Sequence, residues 1–149
     1  MNNILVRQAT PADTDAIVQL DPVALGEPAR RAFIARAMEA GQCHVASAAR
    51  GLIVGCAALE YTFFEQGYVS LLYVARDYRR KGIGTTLIRH AESLCRTPKL
   101  FTSTNQSNLP MQSLLAKINY LPSGSIDNLD EGDRELVYVK FLRQGETAA

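Results

Sequence analysis

The sequence is poor in the residues that mark a metal protein, a membrane protein or a nucleic-acid binder. It has three cysteines, Cys43, Cys56 and Cys95, and two histidines, His44 and His90. The cysteine count is odd and no Cys-x-x-Cys pair or His cluster occurs, so neither a disulfide framework nor a structural zinc site is indicated and no metal is expected. Cys43 and Cys56 fall in strand-like runs and Cys95 near the apolar face of a helix, so all three read as buried thiols. Thiols of that kind fit a reducing cytoplasm. An excess of one charge is missing too. With 16 basic and 15 acidic residues the net charge is +1, which gives no overall field for nucleic acid or an anionic membrane. No apolar run approaches the ~20 residues of a membrane span. The opening Met-Asn-Asn-Ile-Leu-Val-Arg has neither the basic nor the apolar region of a signal peptide. Internal repeats and low-complexity tracts are also absent.

The chain has 149 residues, 47% hydrophobic and 21% charged, enough for one domain with a true core. That domain is expected over residues 1–143, with 144–149 as a loose tail. Ile4 to Ala9 reads as a strand. Thr10-Pro11-Ala12-Asp13 starts a helix running to Leu20, since Thr caps, Pro suits the first turn and Asp follows three residues after the cap. A loop with Pro22, Gly26 and Pro28 leads to a helix over 29–40, stopped by Gly41. Strands are expected at 42–49 and 52–61, joined at Ala49-Arg50-Gly51, then a turn at Glu65-Gln66-Gly67 and a strand at 68–74. A helix over 85–95, a strand over 99–104, a helix over 108–118 and a hairpin of 120–126 with 135–142 complete the order. The fold class is α/β, a mixed and largely antiparallel sheet flanked by about four helices.

The most informative segment is Arg79-Arg80-Lys81-Gly82-Ile83-Gly84-Thr85, with Thr86 following. It connects the strand Tyr68–Val74 to a helix. Glycine can take a positive φ and lets the backbone approach a ligand closely. The free N–H groups of a first helical turn point at an anion, and the helix dipole favours negative charge there. Three successive cations add attraction for a polyphosphate. The Gly-x-x-x-x-Gly-Lys-Ser/Thr spacing of a nucleotide P-loop is missing. A dinucleotide fingerprint is also a poor fit, because Leu87 stands where the third glycine belongs and the turn is not on a first βαβ unit. A nucleotide hydrolase is thereby disfavoured.

The pattern Arg-x-x-Gly-x-Gly after a strand resembles the acetyl-CoA loop of the GNAT N-acetyltransferase superfamily. The segment Asn105-Gln106-Ser107-Asn108-Leu109-Pro110-Met111, opening the helix that ends at Asn119-Tyr120, resembles that family's second cofactor element. Asn108 is a good N-cap and Pro110 suits a first turn. Asn119 replaces the usual glycine and is the other residue that tolerates a left-handed C-terminal geometry. The resemblance implies acetyl-CoA as co-substrate, its pyrophosphate at Arg79, Arg80, Lys81, Gly82, Ile83, Gly84, Thr85 and Thr86. It implies pantetheine paired with the strand backbone at Leu72, Tyr73 and Val74, a role for Asn108, and an acceptor site walled by the two early helices.

Acetyl transfer to an amine requires that the amine lose its proton, directly or through water, and that the carbonyl oxygen find a donor. Here the chain departs from the family. The position that usually carries a Tyr acid is Leu115, and the Glu base of the enzymes that modify ribosomal-protein N-termini is replaced by Ser103. Glu60 is therefore the first candidate for base, and Ser103 a candidate for holding water or acceptor. Tyr68, Ser70 and Tyr120 remain further candidates, while His44 and His90 read as structural. The acidic run from Asp127 to Glu135 suits a cationic acceptor. The expected activity is an acetyl-CoA-dependent N-acetyltransferase on a small or peptidyl primary amine. The alternatives are a non-catalytic acyl-CoA sensor of the same fold and a transferase using a longer acyl-CoA. The sequence does not fix the acceptor, and a homodimer is compatible with it.

Overall fold

The computed structural model describes residues 3–142, so the expected tail at 144–149 lies outside the described residues. Strands β1 (Leu5–Gln8), β2 (Cys43–Ser47), β3 (Ile53–Phe63), β4 (Gln66–Val74), β5 (Lys99–Asn105), β6 (Leu121–Ile126) and β7 (Glu135–Phe141) alternate with helices α1 (Thr14–Leu20), α2 (Pro22–Gly26), α3 (Pro28–Glu39), α4 (Ile83–Leu94) and α5 (Leu109–Lys117). The strands form one sheet in the order β1-β2-β3-β4-β5-β7-β6. β1–β2, β2–β3, β5–β7 and β6–β7 pair antiparallel, and β4–β5 pair parallel. This is the α/β, largely antiparallel architecture expected.

Among the boundaries that differ from the expectation, three stand out. The segment read as a loop around Pro22 is a helix, which raises the number of α-helices among the described residues to five. The Asp21 carboxylate accepts from the Val23 backbone N–H and Pro22 takes the first helical position, so this short stretch is capped like a longer helix. The turn read at Glu65-Gln66-Gly67 lies one residue earlier, on Phe64 and Glu65, which have φ of 52° and 63°; Gln66 and Gly67 already belong to β4. Gly67 is needed for room, because a Cβ there would strike the Cys95 sulfur and approach Thr97 Oγ1 and Leu100 Cδ1 to 3.2 and 3.3 Å. Finally, α4 begins at Ile83, two residues before the position expected.

Two compact units divide the chain, one reaching to Leu59 and resuming over Leu71–Ala91, the other comprising Glu60–Ser70 and the chain from Glu92 on. In the first unit, Ile17, Ile34, Met38, Val45, Cys56 and Leu71 share one apolar cluster. A second cluster gathers Ala46, Val54, Ala57, Ile83 and Leu87 and fixes the start of α4. Gly55 on β3 makes that contact close. A Cβ there would lie 3.1 Å from Leu87 Cδ1, 3.1 Å from the Tyr73 carbonyl oxygen and 3.3 Å from Ile83 Cγ2. In the second unit, β5 and β7 pair over seven residues from Lys99↔Phe141 to Asn105↔Glu135, and Gly67–Val69 of β4 pair with Leu100–Thr102 of β5. Leu100, Leu115, Ile118 and Tyr120 are buried there. All three cysteines are buried, as expected.

Candidate active site

β4 ends at Val74, a short 3-10 turn spans Arg76–Tyr78, and α4 starts at Ile83. Between them Arg80 has φ 63° and Gly82 φ 81°. Of the two glycines, only Gly82 uses a left-handed backbone; Gly84 is buried inside the first helical turn. Arg80 supplies the second left-handed residue, a conformation that disfavours side chains by about 1–2 kcal/mol. Nothing lies within 4 Å of a Cβ built on Gly82, so its glycine is required by φ and its front is open. The Gly82 carbonyl accepts from the Thr86 N–H at 3.0 Å and the Thr86 hydroxyl at 2.9 Å. Gly82 is thus the N-cap, and helix geometry leaves the N–H groups of Ile83, Gly84 and Thr85 without an intrahelical acceptor. The side chains of Arg79, Arg80 and Lys81 are on exposed residues. Arg79 Nε donates to the Val74 carbonyl at 3.0 Å and its guanidinium sits 5.1 Å above the Tyr73 ring. Lys81 Nζ lies 5.3 Å from the Tyr78 ring centre. An open, cationic turn that feeds three free N–H groups is suited to a pyrophosphate.

The second unit holds a chain of three polar side chains. Tyr68 Oη and Ser103 Oγ lie 2.7 Å apart, and Ser103 Oγ donates to Glu135 Oε2 at 2.6 Å. Phe63 stacks on the Tyr68 ring with centroids 4.8 Å apart and planes 18° apart, and Phe101 flanks Phe63. Burial raises the Tyr68 phenol above its usual range; the Ser103 hydrogen bond opposes this, and the charges of Glu135 and Glu60 add to the rise. Glu60 is part-exposed and its carboxylate accepts from the Thr62 hydroxyl. Two residues along β4 from Tyr68, and so on the same face, the Ser70 hydroxyl is buried with no hydrogen-bond partner.

Other candidates have structural partners. Tyr120 donates to Glu92 Oε2 at 2.8 Å, which also pairs with Lys140 at 3.2 Å. Leu115 is fully buried. Asn108 Oδ1 accepts the Met111 N–H, the cap expected, and Asn119 has φ 73° as expected of its C-terminal role. His44 and His90, each read as structural, meet: His90 Nε2 lies 3.3 Å from His44 Nδ1 with the rings edge to face. Burial lowers both imidazoles, and the charge of His90 lowers His44 further. In the acidic run, Asp127 takes the Ser125 hydroxyl, Asp130 the Asn105 amide and Asp133 the Ser107 N–H and hydroxyl. These acids tie the turn between β6 and β7, and Glu131 is exposed. Sequence reading missed Glu135, which it saw only as the end of the acidic run. The signal was there in part, since Ser103 and Glu135 are polar positions on alternating strands. Their meeting depends on the β5–β7 register, which no local pattern encodes. Among the described residues no group of three His, Cys, Asp or Glu could hold a metal ion, and no helix is long and apolar enough to cross a membrane.

The sequence model of the Acetyltransferase (GNAT) family matches residues 7–120. A GNAT-family acetyltransferase from Bacillus cereus ATCC 10987 is 31% identical, with 95% of this chain and 99% of that chain covered and a TM-score of 0.86. The Salmonella typhimurium acetyltransferase yncA, solved with its cofactor acetyl-CoA, is 16% identical over 97% of both chains with a TM-score of 0.76. The ribosomal-protein-S18-alanine N-acetyltransferase of Escherichia coli is 15% identical, covering 96% of this chain and 97% of that chain, with a TM-score of 0.79; these last two likenesses are of fold. No curated protein matches the chain. The family match over most of the sequence and the Bacillus cereus relative agree with the mixed sheet and the strand-turn-helix at Gly82: the chain belongs to the GNAT acetyltransferase family, which uses acetyl-CoA.

Proposed function

We propose that this protein is an acetyl-CoA-dependent N-acetyltransferase that moves an acetyl group to a primary amine by direct attack on the thioester. The observation that carries the reading is the turn before α4, where Gly82 is open and left-handed and three cations precede three free N–H groups. Acetyl-CoA supplies the acyl group already activated. Arg79, Arg80, Lys81 and the backbone of Gly82, Ile83, Gly84, Thr85 and Thr86 bind its pyrophosphate. Leu72, Tyr73 and Val74 offer strand backbone to its pantetheine, and Asn108, through the helix start it caps, supports the cofactor. The unpartnered Ser70 hydroxyl also favours a polar ligand, since a buried donor without an acceptor is destabilising by about 1–3 kcal/mol.

A lysine-like ammonium has pKa near 10.4 and must be neutral to attack. Glu60 is the proposed base that draws in the ammonium and takes its first proton through water. Ser103, on β5, reaches the same nitrogen through an intervening group. Nitrogen bonds to the carbonyl carbon as the carbon–sulfur bond breaks, and the thiolate, whose conjugate acid has pKa near 8.5, leaves without needing a dedicated acid. The sparse, buried thiols support a cytoplasmic setting. The test is thiol release from acetyl-CoA over a panel of primary amines, with acetylated product identified by mass. Turnover with one amine class is expected. Stabilisation by acetyl-CoA without turnover on any amine would favour the sensor reading instead, and faster release from a longer thioester would change the donor.

A further inference from the structure

We propose that the last proton on the acceptor nitrogen leaves through Tyr68, Ser103 and Glu135, with Tyr68 the catalytic residue and Ser103 and Glu135 positioning it and carrying the charge; this rests on the acetyltransferase reading above. The direction of the hydrogens decides the role. A carboxylate can only accept, so Ser103 gives its single proton to Glu135 Oε2 at 2.6 Å. Tyr68 must then donate to Ser103 Oγ across their 2.7 Å contact. The phenol oxygen is left with lone pairs and no proton to offer. It can accept a proton from an N–H, and it is not the acid that protonates a thiolate.

The step balances. A primary ammonium loses one proton before attack, and the nitrogen bonded to the acetyl carbon is again cationic and must lose a second. In one shift the N–H proton moves to Tyr68 Oη, the Tyr68 proton to Ser103 Oγ and the Ser103 proton to Glu135 Oε2. One N–H and two O–H bonds break, and three O–H bonds form. Tyr68 is never left as a phenolate, which suits a phenol whose ionisation burial and two nearby carboxylates oppose. Phe63 stacked on the ring holds its oxygen in line. A carboxylate at the far end of this chain takes the place of the Glu that enzymes modifying ribosomal-protein N-termini carry where this sequence has Ser103.

The test compares Tyr68→Phe, Ser103→Ala, Glu135→Gln and the double variant Tyr68→Phe/Glu135→Gln, with acetyl-CoA and the best amine of the panel. Tyr68→Phe keeps the aromatic stack, and Ser103→Ala breaks the chain without touching it, so the two test the relay by independent routes. Each single change should lower kcat by about 10²–10⁴ while KM for acetyl-CoA and the melting shift it produces stay at wild-type values. The double variant should be within about 3-fold of the worse single one, because a broken relay cannot be broken twice. Ser103→Thr, which keeps the hydroxyl, should restore activity, and the solvent deuterium effect on kcat should shrink in each broken variant. Wild-type turnover that survives Tyr68→Phe within about 3-fold, or losses that multiply in the double variant, would overturn the relay alone. A wild type that releases no thiol with any amine overturns the relay and the acetyltransferase reading together.

Discussion

Gly55→Ala is the sharpest perturbation of the cofactor turn that does not touch it. The added methyl would meet the Tyr73 carbonyl and Leu87 at 3.1 Å and Ile83 at 3.3 Å. Ordinary contacts begin near 3.5 Å. The carbonyl is backbone and cannot rotate away, so α4 must retreat by a few tenths of an ångström. Overpacking of this kind destabilises by about 1–3 kcal/mol, against about 0.5–1 kcal/mol gained because alanine loses less freedom on folding than glycine. The net is centred on about 1 kcal/mol, or roughly 2–4 °C in Tm for a chain of this length. Ile83 is the residue after Gly82, so the same shift moves the N–H groups proposed to hold pyrophosphate. Acetyl-CoA should bind roughly 3- to 10-fold more weakly, a loss of about 0.7–1.4 kcal/mol. Gly26→Ala is the control: nothing lies within 4 Å of its Cβ and its φ is not positive, so Tm should hold or rise. Calorimetry of the three proteins with acetyl-CoA reads both quantities. A Gly55→Ala protein with wild-type Tm and affinity would refute the claim that Gly55 sets the position of α4 and its turn.

Three other outcomes follow from the packing and charges. Gly67→Ala should destabilise by about 1–3 kcal/mol through the clash with Cys95, read in denaturant melts, and Cys95→Ala should relieve part of the loss. Asp13 is held at about 2, against a usual 3.8, first by the Arg7 hydrogen bonds and also by Thr10. A lowered carboxylate stabilises the fold above the unfolded value and loses that contribution as pH falls from 3.8 toward 2. With Arg7 half-exposed the effect is discounted to about 1 kcal/mol, and Asp13→Asn should flatten the acid limb of stability in that window. His44 and His90 are both lowered from 6.5 by burial, so the unfolded chain binds more protons just below 6.5 and stability should fall as pH drops through that range. His44→Gln should blunt this loss in pH-dependent melts.

Local chemistry made much of the fold legible. Thr10-Pro11 and Asn108 with Pro110 announced helix starts, Gly41 a stop, and Asn119 its left-handed turn, because each fixes a φ or satisfies a nearby N–H. The same local rules failed where distant groups decide. Gly67 looks like a turn glycine and is a strand residue that makes room for Cys95. Gly84 looks like a second flexible glycine and is a buried helical one, while Arg80 takes the left-handed backbone that a glycine would have signalled. The basic turn could be picked out as a candidate phosphate device because its residues are consecutive. The Tyr68–Ser103–Glu135 chain and the His44–His90 contact were not, since each joins residues from elements whose register is set by the whole sheet.

The central claim is that the Arg79–Thr86 turn binds the pyrophosphate of acetyl-CoA. Thermal melts of wild type and Gly82→Asp, with acetyl-CoA, CoA and ATP as ligands, test it directly. At a ligand concentration of 100 Kd the wild type should gain about 2.7 kcal/mol, with acetyl-CoA and CoA both effective and ATP weak. Gly82→Asp, which sets a carboxylate at the helix start, should lose that gain while still melting cooperatively. No shift of the wild type at saturating acetyl-CoA, or a full shift retained in Gly82→Asp, would contradict the account.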